Sequence, residues 1–265
     1  MPRERGFVVS RHLWACGKRA STAVVAVVSL VLTLAGCTSY ARYTPEDARK
    51  DAKKGAALAP GAVDCAKARC IALTFDAGPS AHTPQLLDIL KKEKVHATFF
   101  LLGRNHVVKY PDLVRRIADE GHEVASHTWS HKILTELDED GVREELTRTQ
   151  EAVEKITGHR PTLMRPPQGR TDDQVSEVSR ELGLAQIMWS ATAKDYATTD
   201  SALIEKRILD QADRDGIILL HDIYDGTVPA VPGIIGKLKE RGYTFVTVPE
   251  LLAPGTAGPG KVYKP

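Results

Sequence analysis

Three absences limit what this 265-residue sequence can be. No internal repeat is evident, no apolar run reaches the roughly 20 residues that a membrane-spanning helix needs, and neither sign of charge dominates, since the net charge is +2. The composition, 42% hydrophobic and 26% charged residues, excludes a disordered or fibrous chain. These features predict one domain of catalytic size with tails.

The first 36 residues have the layout of an export signal. Five basic residues and one acidic residue precede an apolar stretch, residues 20–35, which only small hydroxyl residues interrupt. The sequence Leu-Ala-Gly directly before Cys37 resembles a bacterial lipobox, in which the cysteine thiol is diacylated and becomes the new N-terminus. An uncleaved signal anchor is the alternative. Either reading places the rest of the chain outside the cytoplasm, and lipidation of Cys37 would anchor it to the outer face of the cell membrane.

Removal of residues 1–36 changes the charge balance. Loss of five positive charges and one negative charge turns the net charge of +2 into −2. A mildly acidic chain lacks the basic face that nucleic-acid binding requires. We therefore expect no nucleic-acid partner, and we expect a monomer.

The four cysteines each have a separate explanation. Cys16 lies in the signal, Cys37 would carry lipid, and Cys65 and Cys70 remain. An oxidising compartment favours a disulfide between these two. Metal binding by the pair is the competing idea, but no second Cys or His pair lies close by in the sequence.

The composition divides the exported chain into three parts. Residues 37–64, rich in Ala, Lys, Arg and Asp, predict a flexible tether. Residues 65–252 carry alternating apolar runs and amphipathic stretches, which predict an α/β domain. Residues 253–265 contain three prolines and three glycines and predict a disordered tail.

Strand and helix patterns alternate strictly within the predicted domain, which indicates a parallel sheet, open or closed into a barrel. The strand candidates are residues 71–75, 97–101, 122–126, 162–164, 185–189, 216–220 and 243–247. The helix candidates are residues 83–92, 112–120, 138–157, 171–182, 201–214 and 231–240.

Charged and imidazole side chains follow these strands at their carboxyl ends, where parallel α/β folds place reactive groups. The spacing of His127 and His131 allows the two imidazoles to share one metal ion, and imidazole suits zinc, nickel, cobalt and copper alike. Hydrolysis also needs a carboxylate base, a cation beside it and an acid for the leaving group. The full set at strand ends is Asp76, His127, His131, Arg165, Asp195, His221 and Asp222.

The motifs as a set resemble those of the polysaccharide deacetylases (NodB homology domain, carbohydrate esterase family 4). Residues 74–79 are similar to the family's Thr-Phe-Asp-Asp-Gly-Pro motif, and residues 126–131 to its His-Ser/Thr-x-x-His motif. Residues 165–169 resemble the Arg-Pro-Pro-aromatic-Gly element, Asp195 and Tyr196 fall where the family has Asp-Trp, and residues 219–221 match Leu-x-Leu-His. The match runs in order from about residue 70 to residue 252.

The resemblance implies a single distorted (β/α) barrel domain and a metal-dependent hydrolase that removes N-acetyl groups from peptidoglycan or a chitin-like polymer. It implies a divalent metal, with zinc expected and cobalt or nickel as alternatives, and a glycan partner. The implied roles are general base for Asp76, its charge partner Arg165, general acid His221, its orienting group Asp195, metal ligands His127 and His131, and substrate contacts Pro166, Gly169, Tyr196 and Leu219.

Three positions depart from the family pattern. Ala77 replaces the aspartate that is the third metal ligand, Gln168 replaces an aromatic residue, and Tyr196 replaces a tryptophan. We therefore expect weak metal binding, with the gap filled by water, by Asp76 or by His82. A glycan-binding pseudoenzyme and a hydrolase of another amide bond are the competing functions.

Overall fold

The computed structural model describes residues 41–52 and 56–265, so the predicted signal and Cys37 lie outside the described residues. The strands in this part are β1 (Arg42–Tyr43), β2 (Arg69–Asp76), β3 (Thr98–Leu101), β4 (Glu123–Ser126), β5 (Leu163–Met164), β6 (Ala185–Ile187), β7 (Ala191–Thr192), β8 (Gly216–Leu220), β9 (Tyr243–Val246) and β10 (Val262–Tyr263). The helices are α1 (Pro45–Lys50), α2 (Thr83–Glu93), α3 (Pro111–Asp119), α4 (Glu139–Thr157), α5 (Asp173–Glu181), α6 (Ser201–Gln211), α7 (Thr227–Glu240) and α8 (Val248–Leu252).

All strand pairs within the described residues are parallel, and the strands form one curled sheet. The order is β1-β10-β6-β5-β4-β3-β2-β8-β7, with β9 paired to the first half of β2. Strand β2 is the longest, and its second half pairs with β3 while residues 71–75 pair with β8. The predicted distorted (β/α) barrel with a parallel sheet is confirmed.

The central strands are buried on both faces, which explains their continuous apolar sequences. In β8 every residue of Gly-Ile-Ile-Leu-Leu is buried, and in β2 only Arg69 is exposed. Helices α2, α6 and α7 cover one side of these strands and contribute leucines and isoleucines to the largest apolar cluster. This packing fixes the carboxyl ends of β2 and β8 next to each other.

The two segments expected to be flexible are partly ordered. Strand β10, within the predicted disordered tail 253–265, pairs with β6, and Val262 and Tyr263 are each 1% exposed. Within the predicted tether 37–64, β1 pairs with β10 and α1 packs against α8. The tail prediction is wrong because two residues of the tail form a strand between β1 and β6. A strand of two residues is too short for the composition to reveal.

No helix in the described ranges, 41–52 and 56–265, is both long and apolar enough to cross a membrane.

The predicted disulfide between Cys65 and Cys70 is present, with the two Cα atoms 5.4 Å apart and both residues fully buried. It closes the turn that leads into β2. Alkylation in denaturant without reductant is expected to label neither residue, and labelling of both without reductant would contradict the pairing. Because the closed loop is short, the Cys65→Ala/Cys70→Ala variant is expected to lose about 2 kcal/mol of unfolding free energy, measured by urea denaturation.

Candidate active site

The carboxyl ends of the strands surround a cavity of about 750 Å³. It collects residues that are almost 150 positions apart in the sequence, as the strand-end pattern predicts. Its lining includes the predicted site residues Asp76, His127, His131, Pro166, Tyr196, Leu219 and His221, together with Ala77 and Gln168. Arg165 and Asp195 lie behind this lining, where each contacts one of the residues that face the cavity.

Asp76 and Arg165 form a buried ion pair beneath the cavity. Arg165 is fully buried and donates from Nη1 to Asp76 Oδ1 at 2.6 Å. It also donates to Thr74 Oγ1 and to two main-chain carbonyls, and its guanidinium lies 4.1 Å from the centroid of the Phe100 ring. The cation therefore compensates the charge of Asp76 and fixes one carboxylate oxygen. The other oxygen, Oδ2, lies 3.9 Å from His127 Nε2.

Asp76 is only 2% exposed, whereas its place at the end of a strand suggests a side chain that is accessible to solvent. The carboxylate is part of the core layer that supports the cavity, although it also contacts the cavity. Changes at this position are therefore expected to affect stability as well as chemistry, because an unpaired buried charge is costly.

His127 and His131 have the geometry of a metal-binding pair. Their ring centroids are 4.9 Å apart, and His127 Nδ1 lies 2.8 Å from the main-chain oxygen of Arg165. Donation from Nδ1 to that oxygen leaves Nε2 as the acceptor that a metal ion needs. Burial lowers the pKa of His127 to about 4 and also lowers the pKa of His131. Both imidazoles are thus neutral, the form that binds metals.

A buried carboxylate of α4 supports the histidine loop. Glu145, which is 5% exposed, accepts hydrogen bonds from the main-chain nitrogen and the hydroxyl of Ser130. The Thr128 hydroxyl also accepts from the nitrogen of His131, a residue with φ of 63°. These bonds hold the loop in a conformation that places the His131 ring edge to face with the His127 ring.

The site lacks a clear third metal ligand among the described residues. Among the described residues, no group of three His, Cys, Asp or Glu side chains is arranged to hold a metal ion. His82, one of the expected substitutes, does not line the cavity, and its Nε2 lies 3.4 Å from Asp225 Oδ1. The two imidazoles would hold a metal ion, and Asp76, another expected substitute, has its free oxygen Oδ2 3.9 Å from His127 Nε2.

The backbone at Ala77 has the conformation that an aspartate tolerates better than an alanine. Ala77 has φ of 65°, and its nitrogen donates to the oxygen of Phe100. Asp and Asn are enriched in this left-handed region. Ala77 also lines the cavity, so an aspartate here would face the space next to the two imidazoles.

His221 is held by Asp195 through two hydrogen bonds. Asp195, which is 1% exposed, accepts from the main-chain nitrogen of His221 at 2.7 Å, and its Oδ1 lies 2.9 Å from His221 Nδ1. The Thr227 hydroxyl donates to the same carboxylate. Burial alone would lower the pKa of His221, but the hydrogen bond and negative charge of Asp195 outweigh it and raise that pKa. The arrangement favours a protonated imidazole, which is the form of a general acid.

Aromatic side chains form the wall around His221. Tyr196 is 58% exposed, with its ring centroid 6.3 Å from that of His221, and Tyr224 lies 5.6 Å away on another side. The sequence predicts Tyr196, Pro166 and Leu219 as substrate contacts, and all three line the cavity. Gly169 lines a smaller neighbouring cavity instead. Tyr224 was not predicted, although its position three residues after His221 could have indicated it.

Asp222 is a buried residue to which sequence reasoning assigned no role. It is fully buried, its Oδ2 accepts a hydrogen bond from Thr83, and its main-chain oxygen accepts one from Ser80. Its Oδ1 has no hydrogen-bond partner in the described part of the chain, and a Cβ at Gly78 would lie 2.6 Å from that atom. The residue after His221 thus joins the end of β8 to the loop after β2.

Comparison with known proteins identifies the relatives of this chain. The polysaccharide deacetylase family model matches residues 64–187. Peptidoglycan-N-acetylglucosamine deacetylase PgdA of Listeria monocytogenes is 44% identical over 182 residues, which are 68% of this chain and 38% of that protein. The chain therefore spans less than half the length of this relative.

Two solved structures extend the comparison. T48 deacetylase with substrate is 40% identical, with a TM-score of 0.73, and the similarity covers 76% of this chain and 100% of that one. A mutant of BA3943, a CE4 family pseudoenzyme with restored enzymatic activity, is 30% identical with a TM-score of 0.67, covering 70% of this chain and 68% of that one. The similar structures thus include a deacetylase and a mutant of a pseudoenzyme with restored activity.

Proposed function

This chain belongs to the polysaccharide deacetylase family, and from that membership we propose that it is a metal-dependent hydrolase that removes N-acetyl groups from peptidoglycan or a chitin-like glycan. The observation that carries the proposal is the pairing of two cavity-facing groups with buried partners. Asp76 is paired with Arg165, and His221 is paired with Asp195. A carboxylate and a protonated imidazole at one cavity are what amide hydrolysis requires.

In the proposed reaction, the free oxygen of Asp76 takes a proton from the attacking water. His221 then donates a proton from Nε2 to the nitrogen of the departing amine, while Asp195 holds the ring through Nδ1. Arg165 keeps the base in place throughout. A divalent ion held by His127 and His131, zinc or alternatively cobalt or nickel, would polarise the acetyl carbonyl and the water.

A glycan-binding pseudoenzyme is the second candidate function, and Ala77 is the observation that favours it. Acetate release from purified protein, measured on N-acetylglucosamine oligomers and peptidoglycan fragments with added zinc, cobalt or nickel, separates the two functions. Turnover with at least one metal supports the enzyme. Binding of the glycans without acetate release under any of these conditions supports the pseudoenzyme.

Metal affinity is expected to be weak in the wild type and higher in the Ala77→Asp variant. A hydrolytic metal site usually has three protein ligands, and the substitution adds a carboxylate at a backbone conformation that suits it. Residues behind the ligands change metal affinity by roughly 10- to 100-fold, and a ligand itself is expected to contribute more. The variant is therefore expected to bind zinc more than about 100-fold more tightly than the wild type, measured by calorimetric titration.

Ala77→Asn, with a similar size and no charge, is the matched control for this titration. Tight stoichiometric zinc binding by the wild type, unchanged by Ala77→Asp, would show that another group already completes the metal sphere.

We also propose that the protein is a lipoprotein anchored to the outer face of the cell membrane through Cys37. The order of basic segment, short apolar stretch and Leu-Ala-Gly-Cys supports this location. Mass spectrometry of the membrane-extracted protein is expected to show a diacylglyceryl-modified N-terminal cysteine, and Cys37→Ala is expected to release or mislocalise the protein. An intact N-terminus at Met1 would contradict the proposal.

A further inference from the structure

The loop that connects β2 to α2, residues 77–82, lies between the carboxyl ends of the two strands that flank β2. We call it the β2–α2 loop. On the side of β3, the nitrogen of Leu102 donates to the oxygen of Gly78 at 3.1 Å, and His106 Nδ1 lies 3.0 Å from the oxygen of Pro79. One side of the loop is thereby fixed to the segment that follows β3.

Asp222, the first residue but one after β8, fixes the other side of this loop. The Thr83 hydroxyl donates to Asp222 Oδ2 and accepts from the nitrogen of Ser80 at 2.7 Å. The Ser80 hydroxyl donates to the main-chain oxygen of Asp222 at 2.8 Å. Both the side chain and the main chain of Asp222 therefore hold the loop next to the end of β8.

The carboxyl of Asp222 also sets how closely the loop can approach β8. A Cβ at Gly78 would lie 2.6 Å from Asp222 Oδ1 and 3.2 Å from both Cγ and Oδ2, and these are the three atoms nearest to it. The φ of Gly78 lies outside the left-handed region that favours glycine. The obstacle to a side chain at Gly78 is therefore the carboxyl of Asp222, and the two residues are in direct contact.

Stability alone does not explain a carboxyl at this position. Asp222 is fully buried, and its Oδ1 has no hydrogen-bond partner in the described part of the chain. A buried polar atom without a partner lowers stability. Burial also raises the pKa of Asp222, which favours the neutral carboxyl. Both observations favour a role for the shape of this side chain and for its accepting oxygen over a role for its charge.

The register of the sheet places the base and the acid of the proposed reaction side by side. Phe75 in β2 lies opposite Leu220 in β8, and Asp76 and His221 are the next residue on each strand. We propose that Asp222 is a positioning residue, which keeps the β2–α2 loop, and with it Asp76, at the distance from His221 that hydrolysis needs. This role rests on the proposed function, because it serves the base and acid of that reaction.

Asp222→Ala is expected to lower kcat for acetate release by about 10- to 100-fold, since a displacement of about 1 Å between reacting groups has an effect of this size. KM is expected to change little, because Asp222 does not line the active-site cavity. Initial rates are measured on N-acetylglucosamine oligomers at saturating metal and are divided by the folded fraction from thermal unfolding.

Asp222→Asn keeps the oxygen that accepts from Thr83 and the volume beside Gly78, so it is expected to retain most of the wild-type kcat. Thr247→Ala is the control for lost stability, because Thr247 is a buried residue that caps α8 and does not line the active-site cavity. It is expected to unfold at a lower temperature and to keep kcat. A loss in Asp222→Asn as large as that in Asp222→Ala would overturn the proposal.

A double-mutant cycle with Gly78 separates positioning from a general loss of structure. Gly78→Ala is expected to lower kcat by about 10- to 100-fold, because the added methyl group meets Asp222 Oδ1. In the Asp222→Ala background that obstacle is absent, so Gly78→Ala is expected to have no further effect on kcat. Two unrelated structural defects would instead multiply. A full effect of Gly78→Ala in both backgrounds would contradict the proposed contact.

Hydrogen exchange tests the position of the loop without any turnover. The main-chain amides of residues 77–82 are expected to exchange faster in Asp222→Ala and in Gly78→Ala than in the wild type, and at the wild-type rate in Thr247→Ala. Faster exchange in the first two variants, with no acetate release by the wild type, would support the positioning of the loop and refute the deacetylase activity. Acetate release by the wild type with unchanged exchange in both variants would support the deacetylase and overturn the role of Asp222.

Discussion

Replacement of Asp76 by asparagine is expected to lower kcat for acetate release by about 10²- to 10⁴-fold, the usual contribution of a general base. Asparagine keeps an oxygen that can accept from Arg165 but cannot take a proton from water. The measurement is the initial rate of acetate release at saturating metal and substrate. Asp225→Asn is the matched control, because that carboxylate is 81% exposed and contacts only the surface residue His82 among the described ion pairs.

The same variant is expected to be less stable than the wild type, because the charge of Arg165 stays buried without its partner. Breaking a buried pair costs about 3–5 kcal/mol, and the retained hydrogen bond places Asp76→Asn at the lower end. Thermal unfolding therefore accompanies the kinetics, so that loss of base catalysis is separated from loss of folded protein. Near-normal kcat in a folded Asp76→Asn protein would mean that another group is the base.

Replacement of His221 by alanine is expected to lower kcat by a similar factor, about 10²- to 10⁴-fold, because the departing amine loses its proton donor. A general acid must be protonated, so kcat/KM is expected to fall as the pH rises through the pKa of His221. That pKa is raised by Asp195, which extends the active range to higher pH. Asp195→Asn removes the raising charge and is expected to move this alkaline limb to lower pH.

Asp200→Asn provides the comparison for this pH profile, since Asp200 caps α6 and accepts only from the nitrogens of Ala202 and Leu203 among its side-chain bonds in the described residues. Its alkaline limb should coincide with that of the wild type. An alkaline limb that stays in place in Asp195→Asn, or that persists in His221→Ala, would assign the limb to a different group.

The sequence was sufficient to predict the parallel sheet and the place of the reactive groups. Strand β8 coincides with the predicted residues 216–220, because an unbroken apolar run between polar loops has few alternative structures. The rule that reactive groups follow strands then located Asp76, His127 and His221 at one cavity. Their roles stay predictions that the variants above test.

The structural role of Asp222 and the edge of the sheet could not be predicted in the same way. Asp222 is recognisable as a buried support only when the loop after β2 is seen above it. Strands β1 and β10 have two residues each, so neither has enough length for a periodic pattern. Both features depend on contacts between segments that are far apart in the chain. The composition of a single segment does not reveal such contacts.

With the proposed lipid on Cys37, the pairing of β1 with β10 would also limit the distance between the domain and the membrane. Only five positions separate Cys37 from Arg42, and an extended chain of that length reaches at most about 18 Å. A lipid on Cys37 would therefore hold the domain within a short distance of the bilayer. A flexible segment that extended to residue 64 would instead allow the domain to lie much farther from the bilayer. Glycan strands close to the membrane surface would then be the ones within reach of the active site.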